Sequence, residues 1–259
     1  MKVSLVQMDS NNNKEGNFLK AKSFFKKALE DKPDIVCFSE MFLYWGDEKI
    51  KMAENINSEK ILAFQELAKE NKVNIVLGSV SLKAGIDKTT NTTLVIDRKG
   101  NIVHRYDKIY MYKVVRDDLL IDEFNTTVSG KNLGIFELDG VKMGVGICFD
   151  LRFPEYFREL TKAGAEIIFL PTSMRRTTGE IAWDVLTKAR AIENQLYFCA
   201  CDQTGETGLK ERCGNTRIVS FDGKIIKDIA FEEGIISADL DLEKLRNFRK
   251  EFPVLEQIK

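Results

Sequence analysis

The sequence predicts an α/β fold in which strands and helices form layers within one domain. Short apolar runs of strand length alternate with amphipathic stretches at helical spacing throughout the chain. Turn signals at 98–101, 139–140 and 222–223 each join two neighbouring strands as a hairpin. Hairpins mixed with strand–helix units favour a mixed sheet, or two sheets, flanked by helices.

The first half of the chain alternates strands with two helices. Phe18, Ala21 and Phe25 fall on one face of the first helix. The run at 35–38 is wholly apolar, which is typical of a strand covered on both faces. Ser58 is placed to cap the second helix. The predicted strands are 3–8, 35–38, 74–82, 92–97 and 102–106, and the predicted helices are 17–29 and 58–71.

The second half continues the same alternation after a charged stretch. Residues 114–130 are weakly periodic and 205–214 are polar, so both are predicted as loops. Pro154 suits the first position of a helix. The predicted strands are 133–138, 141–147, 166–170, 196–202, 216–221, 224–229 and 234–239, and the predicted helices are 154–163, 179–195 and 242–252.

Length and charge limit the classes of protein that this chain can represent. Its 259 residues suffice for one large domain or two small ones, and no linker, repeat or low-complexity block divides them. We therefore expect a single domain over residues 1–259. Lysine plus arginine number 39 and aspartate plus glutamate 40, a balance that argues against a general nucleic-acid binder.

The sequence also favours a cytoplasmic protein without a membrane partner. No apolar run approaches the length of a membrane span, and the N-terminal run lacks the apolar core and cleavage site of a signal peptide. The five cysteines are an odd number, which suggests a reducing compartment rather than a disulfide framework.

Three chemically useful residues, Glu40, Lys108 and Cys148, stand at the ends of apolar strands. Strand ends on one edge of a sheet can converge on a single pocket. A thiol needs an adjacent base or cation to act as a nucleophile at neutral pH. The single histidine, His104, precedes the cysteine, so the chain order of an α/β-hydrolase triad is ruled out. Glu40 can act as the base and Lys108 as the cation that the thiol needs. The alternative interpretation is that Cys148 is a buried core residue without a catalytic role.

Three motifs around these residues resemble those of the nitrilase superfamily of carbon–nitrogen hydrolases. FSEMF at 38–42 resembles the glutamate motif, YDKI at 106–109 the lysine motif, and GICFDLRFPE at 146–155 the cysteine motif. The resemblance spans nearly the whole chain, and the cysteine motif has a form seen among amidases of the Nit type. It implies a four-layer αββα sandwich that usually forms a homodimer, with a Glu–Lys–Cys triad and no cofactor or metal.

The resemblance also implies roles for further residues. Glu123 matches the family's second glutamate and would orient Lys108 or position the substrate. The backbone N–H of Phe149 would help Lys108 to bind the oxyanion. Family members with arginine at the place of Arg152 tend to take amides of dicarboxylic acids, and a guanidinium can hold a carboxylate through two bonds. Thr172 and Trp183 are the other predicted substrate contacts, and Arg175 and Arg176 are alternatives for the carboxylate.

These observations predict an amidase that acts on small ω-monoamides of dicarboxylic acids, such as 2-oxoglutaramate. The alternatives are an N-carbamoyl-amine amidohydrolase or other small-amide hydrolase, and a non-catalytic small-molecule binding protein on the same fold. A zinc site built from Cys199, Cys201 and Cys213 is a further alternative, although the chain lacks a CxxC pair.

Overall fold

The computed structural model describes residues 1–116, 119–207 and 210–258 of the chain. The strands are β1 (Lys2–Gln7), β2 (Ile35–Phe38), β3 (Asn74–Lys83), β4 (Thr89–Ile96), β5 (Ile102–Asp107), β6 (Lys113–Arg116), β7 (Leu119–Asp122), β8 (Ile135–Leu138), β9 (Val141–Val145), β10 (Ile167–Thr172), β11 (Tyr197–Asp202), β12 (Glu206–Thr207), β13 (Lys210–Glu211), β14 (Arg217–Val219), β15 (Ile225–Asp228) and β16 (Gly234–Asp239). The helices are α1 (Lys14–Ala28), α2 (Glu59–Asn71), α3 (Pro154–Lys162), α4 (Arg176–Asn194) and α5 (Leu242–Glu251). Within the described ranges, none of these helices combines the length and the apolar character that crossing a bilayer requires.

Two six-stranded mixed sheets form the centre of the molecule. The first has the order β16-β1-β2-β3-β4-β5, and the second has the order β15-β14-β11-β10-β9-β8. In each sheet three parallel strands, β1-β2-β3 and β9-β10-β11, are flanked by antiparallel strands. Of the two arrangements that the sequence favours, one mixed sheet or two sheets, the structure has two sheets. Their parallel centres bring several strand ends to the same edge.

The two sheets lie face to face between outer layers of helices. Along β1, Val3 and Leu5 belong to the core that includes the second sheet, while Val6 packs in the core formed with α1 and α2. This alternation follows from the two-residue period of a strand. Because β2 lies inside the first sheet and is covered on both faces, all four of its residues are buried and apolar. The layers therefore follow the predicted αββα order.

The hairpin between β8 and β9 forms as its sequence predicts. Asp139 and Gly140 both have positive φ, at 51° and 75°. A type I′ turn needs this conformation at both central residues, and Asp-Gly adopts it readily. The turn sets the register that carries β9 toward Cys148.

The loop prediction for 114–130 is wrong in part. Residues 113–116 and 119–122 pair as the antiparallel strands β6 and β7, and a 3-10 turn covers Glu123–Asn125. The apolar, largely β-branched residues of these two segments favour strands even though no helix-like period is present. The polar stretch 205–214 likewise holds the short pair β12–β13. In both stretches the connecting residues, 117–118 and 208–209, lie outside the described part of the chain.

Candidate active site

A cavity of about 890 Å³ opens where strand ends of the two sheets meet, and Glu40, Lys108, Glu123 and Cys148 all line it. Glu40 follows β2 and Lys108 follows β5, so both come from the first sheet. Cys148 comes after β9 of the second sheet. The structure thus brings together the four residues that the sequence predicts to be catalytic.

Lys108 forms the charged centre of this cavity. Its Nζ lies 2.9 Å from Glu123 Oε2 and 3.4 Å from Glu40 Oε1, and its side chain has no exposed surface. Burial alone would lower the pKa of Lys108, but the charges of Glu123 and Glu40 outweigh it and hold the pKa well above its usual value. Lys108 therefore stays an ammonium beside the thiol.

Glu40 is held by contacts from several strands. Asn91 Nδ2 on β4 donates to Glu40 Oε1 at 2.8 Å, and the Glu40 backbone N–H donates to the Thr172 carbonyl at 3.3 Å. Gln203 Nε2 donates to the Glu40 carbonyl. Gly78 allows this packing, because a Cβ there would collide with the carbonyl of the residue before Glu40. The carboxylate is consequently fixed toward Lys108.

Glu123 approaches Lys108 from the 3-10 turn that follows β7. Its Oε2 accepts a second hydrogen bond from the backbone N–H of Tyr112 at 2.9 Å. Burial would raise the pKa of Glu123, but the charges of Lys108 and Lys49 and the Tyr112 N–H lower it overall. Glu123 is thus an ionised partner that fixes the position of the Lys108 ammonium.

Cys148 lies in a strained turn, not at the last position of a strand. The strand β9 ends at Val145, and Cys148 begins the 3-10 turn Cys148–Arg152 with φ at +46°. A non-glycine residue with positive φ costs energy and is found often at functional sites. This turn departs from the sequence prediction, which extended the strand to residue 147, and it leaves Cys148 partly exposed in the cavity.

Asp150 ties the cysteine turn to the lysine segment. Its Oδ2 accepts hydrogen bonds from the Ile147 N–H and the Tyr106 hydroxyl, each at 2.7 Å, and its Oδ1 accepts one from the Tyr110 N–H at 3.0 Å. Burial raises the pKa of Asp150 to about 6, although these donors and Lys108 act in the opposite direction. Because Tyr106 and Tyr110 flank Lys108, Asp150 fixes the distance between the cation and the nucleophile.

The surroundings of Cys148 favour a neutral thiol in the resting protein. Burial raises its pKa well above the ordinary value, and the charge of Glu40 raises it further. Lys108 and the backbone N–H of Ser173, which bonds the sulfur, act in the opposite direction. A base must therefore take the proton as the sulfur attacks, and Glu40, whose charge acts on Cys148 more strongly than that of Glu123, is the candidate.

The predicted substrate-binding residues divide into two groups. Phe149 and Arg152 line the cavity, as predicted for substrate contacts. Thr172 does not line it: the side chain is buried within β10, and the carbonyl bonds the Glu40 and Gln203 N–H groups. Trp183 is also outside the lining, since it is buried on α4 with Nε1 donating to the Asn215 carbonyl at 2.9 Å.

The two alternative arginines are separated in the same way. Arg175 lines the cavity. Arg176, the first residue of α4, lies outside the cavity lining with its guanidinium 4.8 Å from the ring centre of Phe231. Adjacent residues in the sequence thus differ in access to the site.

Sequence reasoning missed several residues that shape the site. Asn91 holds Glu40, and Ser173 and Trp45 line the cavity. Arg212, far along the chain, reaches Ser173 Oγ through Nε at 2.9 Å. The run of threonine and asparagine before residue 94 was a usable signal for Asn91, because such polar residues are uncommon in a strand covered on both faces. No local pattern marks Arg212.

The zinc alternative does not gain support from the cysteines. Cys199 and Cys201 are buried in β11, and Cys201 Sγ donates to the Val6 carbonyl at 3.2 Å. Across the described ranges, no group of three or more histidine, cysteine or acidic side chains is arranged to hold a metal ion. These thiols are accounted for by packing.

Comparisons with known proteins find similarity along nearly the whole chain. The model of the carbon–nitrogen hydrolase family matches residues 2–250. The chain is 32% identical to the deaminated glutathione amidase of Dictyostelium discoideum, over 100% of this chain and 94% of that protein. It is 30% identical to the 2-oxoglutaramate amidase of Bacillus subtilis, over 99% of this chain and 97% of that protein.

Solved structures show the same fold. The C. elegans NitFhit protein superposes with a TM-score of 0.94 at 27% identity, covering 100% of this chain and 65% of that chain. Nit3 of Saccharomyces cerevisiae, described as a member of branch 10 of the nitrilase superfamily, superposes with a TM-score of 0.89 at 26% identity, covering 99% and 96% of the two chains. The four-layer sandwich is therefore that of the nitrilase type.

Proposed function

Because the chain belongs to the carbon–nitrogen hydrolase family, we propose that it is an amidase working through a thioester on Cys148. The observation that carries this proposal is the buried Lys108 ammonium held between Glu40 and Glu123 in the cavity that Cys148 lines. A binding protein has no need of a thiol, a base and a cation together. The cluster matches what nucleophilic attack on an amide requires.

The first half of the reaction acylates the cysteine. Glu40 takes the thiol proton while the Cys148 sulfur forms a bond to the amide carbon, and the carbonyl π electrons move to oxygen. The Lys108 ammonium and the Phe149 backbone N–H stabilise that oxyanion. Glu40 then returns the proton to the amide nitrogen, the C–N bond breaks, and ammonia leaves a thioester behind.

The second half restores the enzyme. Glu40, again a carboxylate, removes a proton from a water molecule while the water oxygen attacks the thioester carbon. The same two donors hold the new oxyanion. When the C–S bond breaks, the sulfur receives the proton and the carboxylic acid leaves. Glu123 takes no proton in this scheme, and its ion pair keeps Lys108 charged and aimed at the oxyanion.

The substrate class that we propose is the ω-monoamides of dicarboxylic acids, such as 2-oxoglutaramate. Relatives at about 30% identity over the full chain are named 2-oxoglutaramate amidase and omega-amidase. Two arginines of the cavity lining, Arg152 and Arg175, can offer a guanidinium to a carboxylate. The cavity thus combines groups that can hydrolyse an amide with positive charge that can bind the carboxylate of an acidic substrate.

The test is ammonia release from a panel of compounds by the purified protein. The panel holds 2-oxoglutaramate, succinamate, neutral amides, N-carbamoyl amines and nitriles, with Cys148→Ala as the control. We expect the highest kcat/KM for the acidic amides and an acyl adduct on Cys148 in quenched samples. If N-carbamoyl amines were hydrolysed in preference, they would take the place of ω-monoamides as the proposed substrate class. No turnover of any compound would refute the amidase proposal.

We also propose that the protein is a homodimer through α4. This helix exposes Ile181 at 89%, Val185 at 60% and Ile192 at 52%, and their spacing puts them on one helix face. An apolar stripe of this kind favours an interface. Sedimentation of wild type and of Ile181→Glu with Val185→Glu tests this, and a monomeric wild type would reject it.

The proposed location is the cytoplasm. All five cysteines are free thiols, four of them buried in the core. A reducing compartment keeps such thiols intact. Fractionation of cells expressing the tagged protein is the test, and recovery with secreted proteins would contradict it.

A further inference from the structure

One wall of the cavity brings two arginines close together. Arg175 lines this wall two residues after Ser173, whose backbone N–H bonds the Cys148 sulfur. Arg175 also forms an isolated antiparallel bridge with Arg212. Two arginines are therefore adjacent on neighbouring backbone segments near the nucleophile.

Arg212 is a buried cation that three nearby carboxylates partly compensate. Its side chain is almost wholly buried, its guanidinium lies 4.3 Å from the ring centre of Trp45, and its acidic contact, Asp9 Oδ1, is 3.4 Å away. Its Nη2 is buried without a hydrogen-bond partner among the described residues. Burial lowers the pKa of Arg212 to about 10, and the charge of Arg175 pushes it the same way.

Arg212 contacts two residues of the cavity wall. Both Trp45, which stacks on the guanidinium, and Ser173, which accepts from Nε, belong to the cavity lining. The guanidinium thus lies one layer behind this wall. Because burial disfavours the charge of Arg212, an anion bound at the wall would lower the free energy of that cation.

We propose that Arg175, supported from behind by Arg212, is the specificity-determining residue that receives the carboxylate of an acidic amide. This inference rests on the amidase function proposed above and assigns the acid-binding end of its cavity. Arg175 touches the substrate, whereas Arg212 acts through Ser173, Trp45 and its charge.

Arg175 is better placed for this role than the other two arginines. Arg152 is exposed at the end of the 3-10 turn, where water screens an ion pair. Arg176 stacks on Phe231 outside the cavity lining. Arg175 is partly buried beside a second buried cation, so a carboxylate there gains from two charges in a medium of lower dielectric constant.

The experiment compares Arg175→Gln with Arg176→Gln as the matched control. For each variant we would measure kcat/KM for succinamate and for butanamide, a neutral amide of equal chain length. Losing a charge-assisted contact with a carboxylate lowers kcat/KM for succinamate about 30-fold or more in Arg175→Gln. The same variant keeps butanamide hydrolysis within about threefold, and Arg176→Gln changes neither substrate by more than that. Arg175→Lys, which loses the guanidinium fork, gives an intermediate loss on succinamate alone.

Arg212 is tested as a positioning residue by a pair of variants. Arg212→Gln lowers the succinamate-to-butanamide ratio of kcat/KM, and Arg212→Lys, which retains charge, recovers much of it. If Arg212 had only a structural role, kcat/KM would fall for both substrates together, and the Gln and Lys variants would not differ in the ratio.

Two outcomes would overturn the inference. One is an equal loss of kcat/KM for both substrates in Arg175→Gln. The other is a large loss of kcat/KM for succinamate alone in Arg152→Gln but not in Arg175→Gln. Binding of succinate to Cys148→Ala, with and without Arg175→Gln, gives a readout that needs no turnover. Absence of all amide hydrolysis would refute the proposed function, while unchanged succinate affinity would refute the role of Arg175.

Discussion

The floor and the rim of the cavity are built in different ways. On the floor, Lys108 is wholly buried, Glu40 is almost so, and each bonds at least one other polar side chain. On the rim, Leu120 is 75% exposed and Arg152 is also exposed. The floor is a network held between two sheets, whereas the rim consists of loop and hairpin side chains that water reaches.

This difference teaches where chemistry and selectivity reside. Charges on the floor interact strongly because water is excluded, and each depends on its partners. Charges on the rim are screened and act nearly independently. We therefore expect floor substitutions to have large, non-additive effects and rim substitutions to have small, salt-dependent ones.

The largest expected effect is that of Cys148→Ala. Removing the nucleophile lowers kcat by about 10⁴-fold or more, because no other group can form the acyl intermediate. Thermal unfolding stays within a few degrees, since the side chain is small and partly exposed. Cys199→Ala, in the core of β11, is the control that retains turnover. An acyl adduct on a peptide without Cys148 would contradict the assignment.

The next effect concerns the ion pairs of the floor. Glu40→Gln and Lys108→Met each lower kcat/KM by about 10³-fold, and the double variant is little worse than either, because the residues act as one unit. Lys113→Met is a matched control, since that lysine pairs with Asp122 on the surface and is half exposed. Its kcat/KM stays within about twofold. Multiplicative losses in the double variant would show that Glu40 and Lys108 act separately.

A smaller effect is the reactivity of the thiol toward iodoacetamide. The Glu40 charge raises the pKa of Cys148 and the Lys108 charge lowers it. Glu40→Gln therefore shifts the alkylation profile to lower pH, with about tenfold faster reaction where the wild-type thiol is protonated. Lys108→Met shifts the profile to higher pH. Alkylation is followed by mass spectrometry, and shifts of the same sign in both variants would contradict these electrostatics.

The smallest effect belongs to the rim. Arg152→Gln lowers kcat/KM for succinamate by less than about fivefold, because the guanidinium is exposed, and the difference shrinks at 0.5 M salt. The measurement is kcat/KM at low and high salt for wild type and variant. A large, salt-insensitive loss would move Arg152 from the rim group to the floor group.

The sequence alone predicted the strands, the helices and the candidate reacting groups. Apolar runs with two-residue and helical periods predict strands and helices, because burial acts on local patterns. The motifs around Glu40, Lys108 and Cys148 are likewise local, so their chemistry could be inferred before any coordinates. The strand pair at 113–116 and 119–122 was missed because charged residues interrupt its short apolar runs and leave the stretch weakly periodic.

Only the tertiary structure decided which polar residues share the cavity and how they are charged. Asn91, Ser173 and Arg212 reach the site from strands and loops far apart in the chain, and no local pattern encodes such contacts. Thr172 and Trp183 show the converse, since the resemblance predicts them as substrate contacts but both are buried in the interior. Side-chain direction and dielectric environment follow from the packing of the sheets and helices, so they cannot be inferred from local sequence.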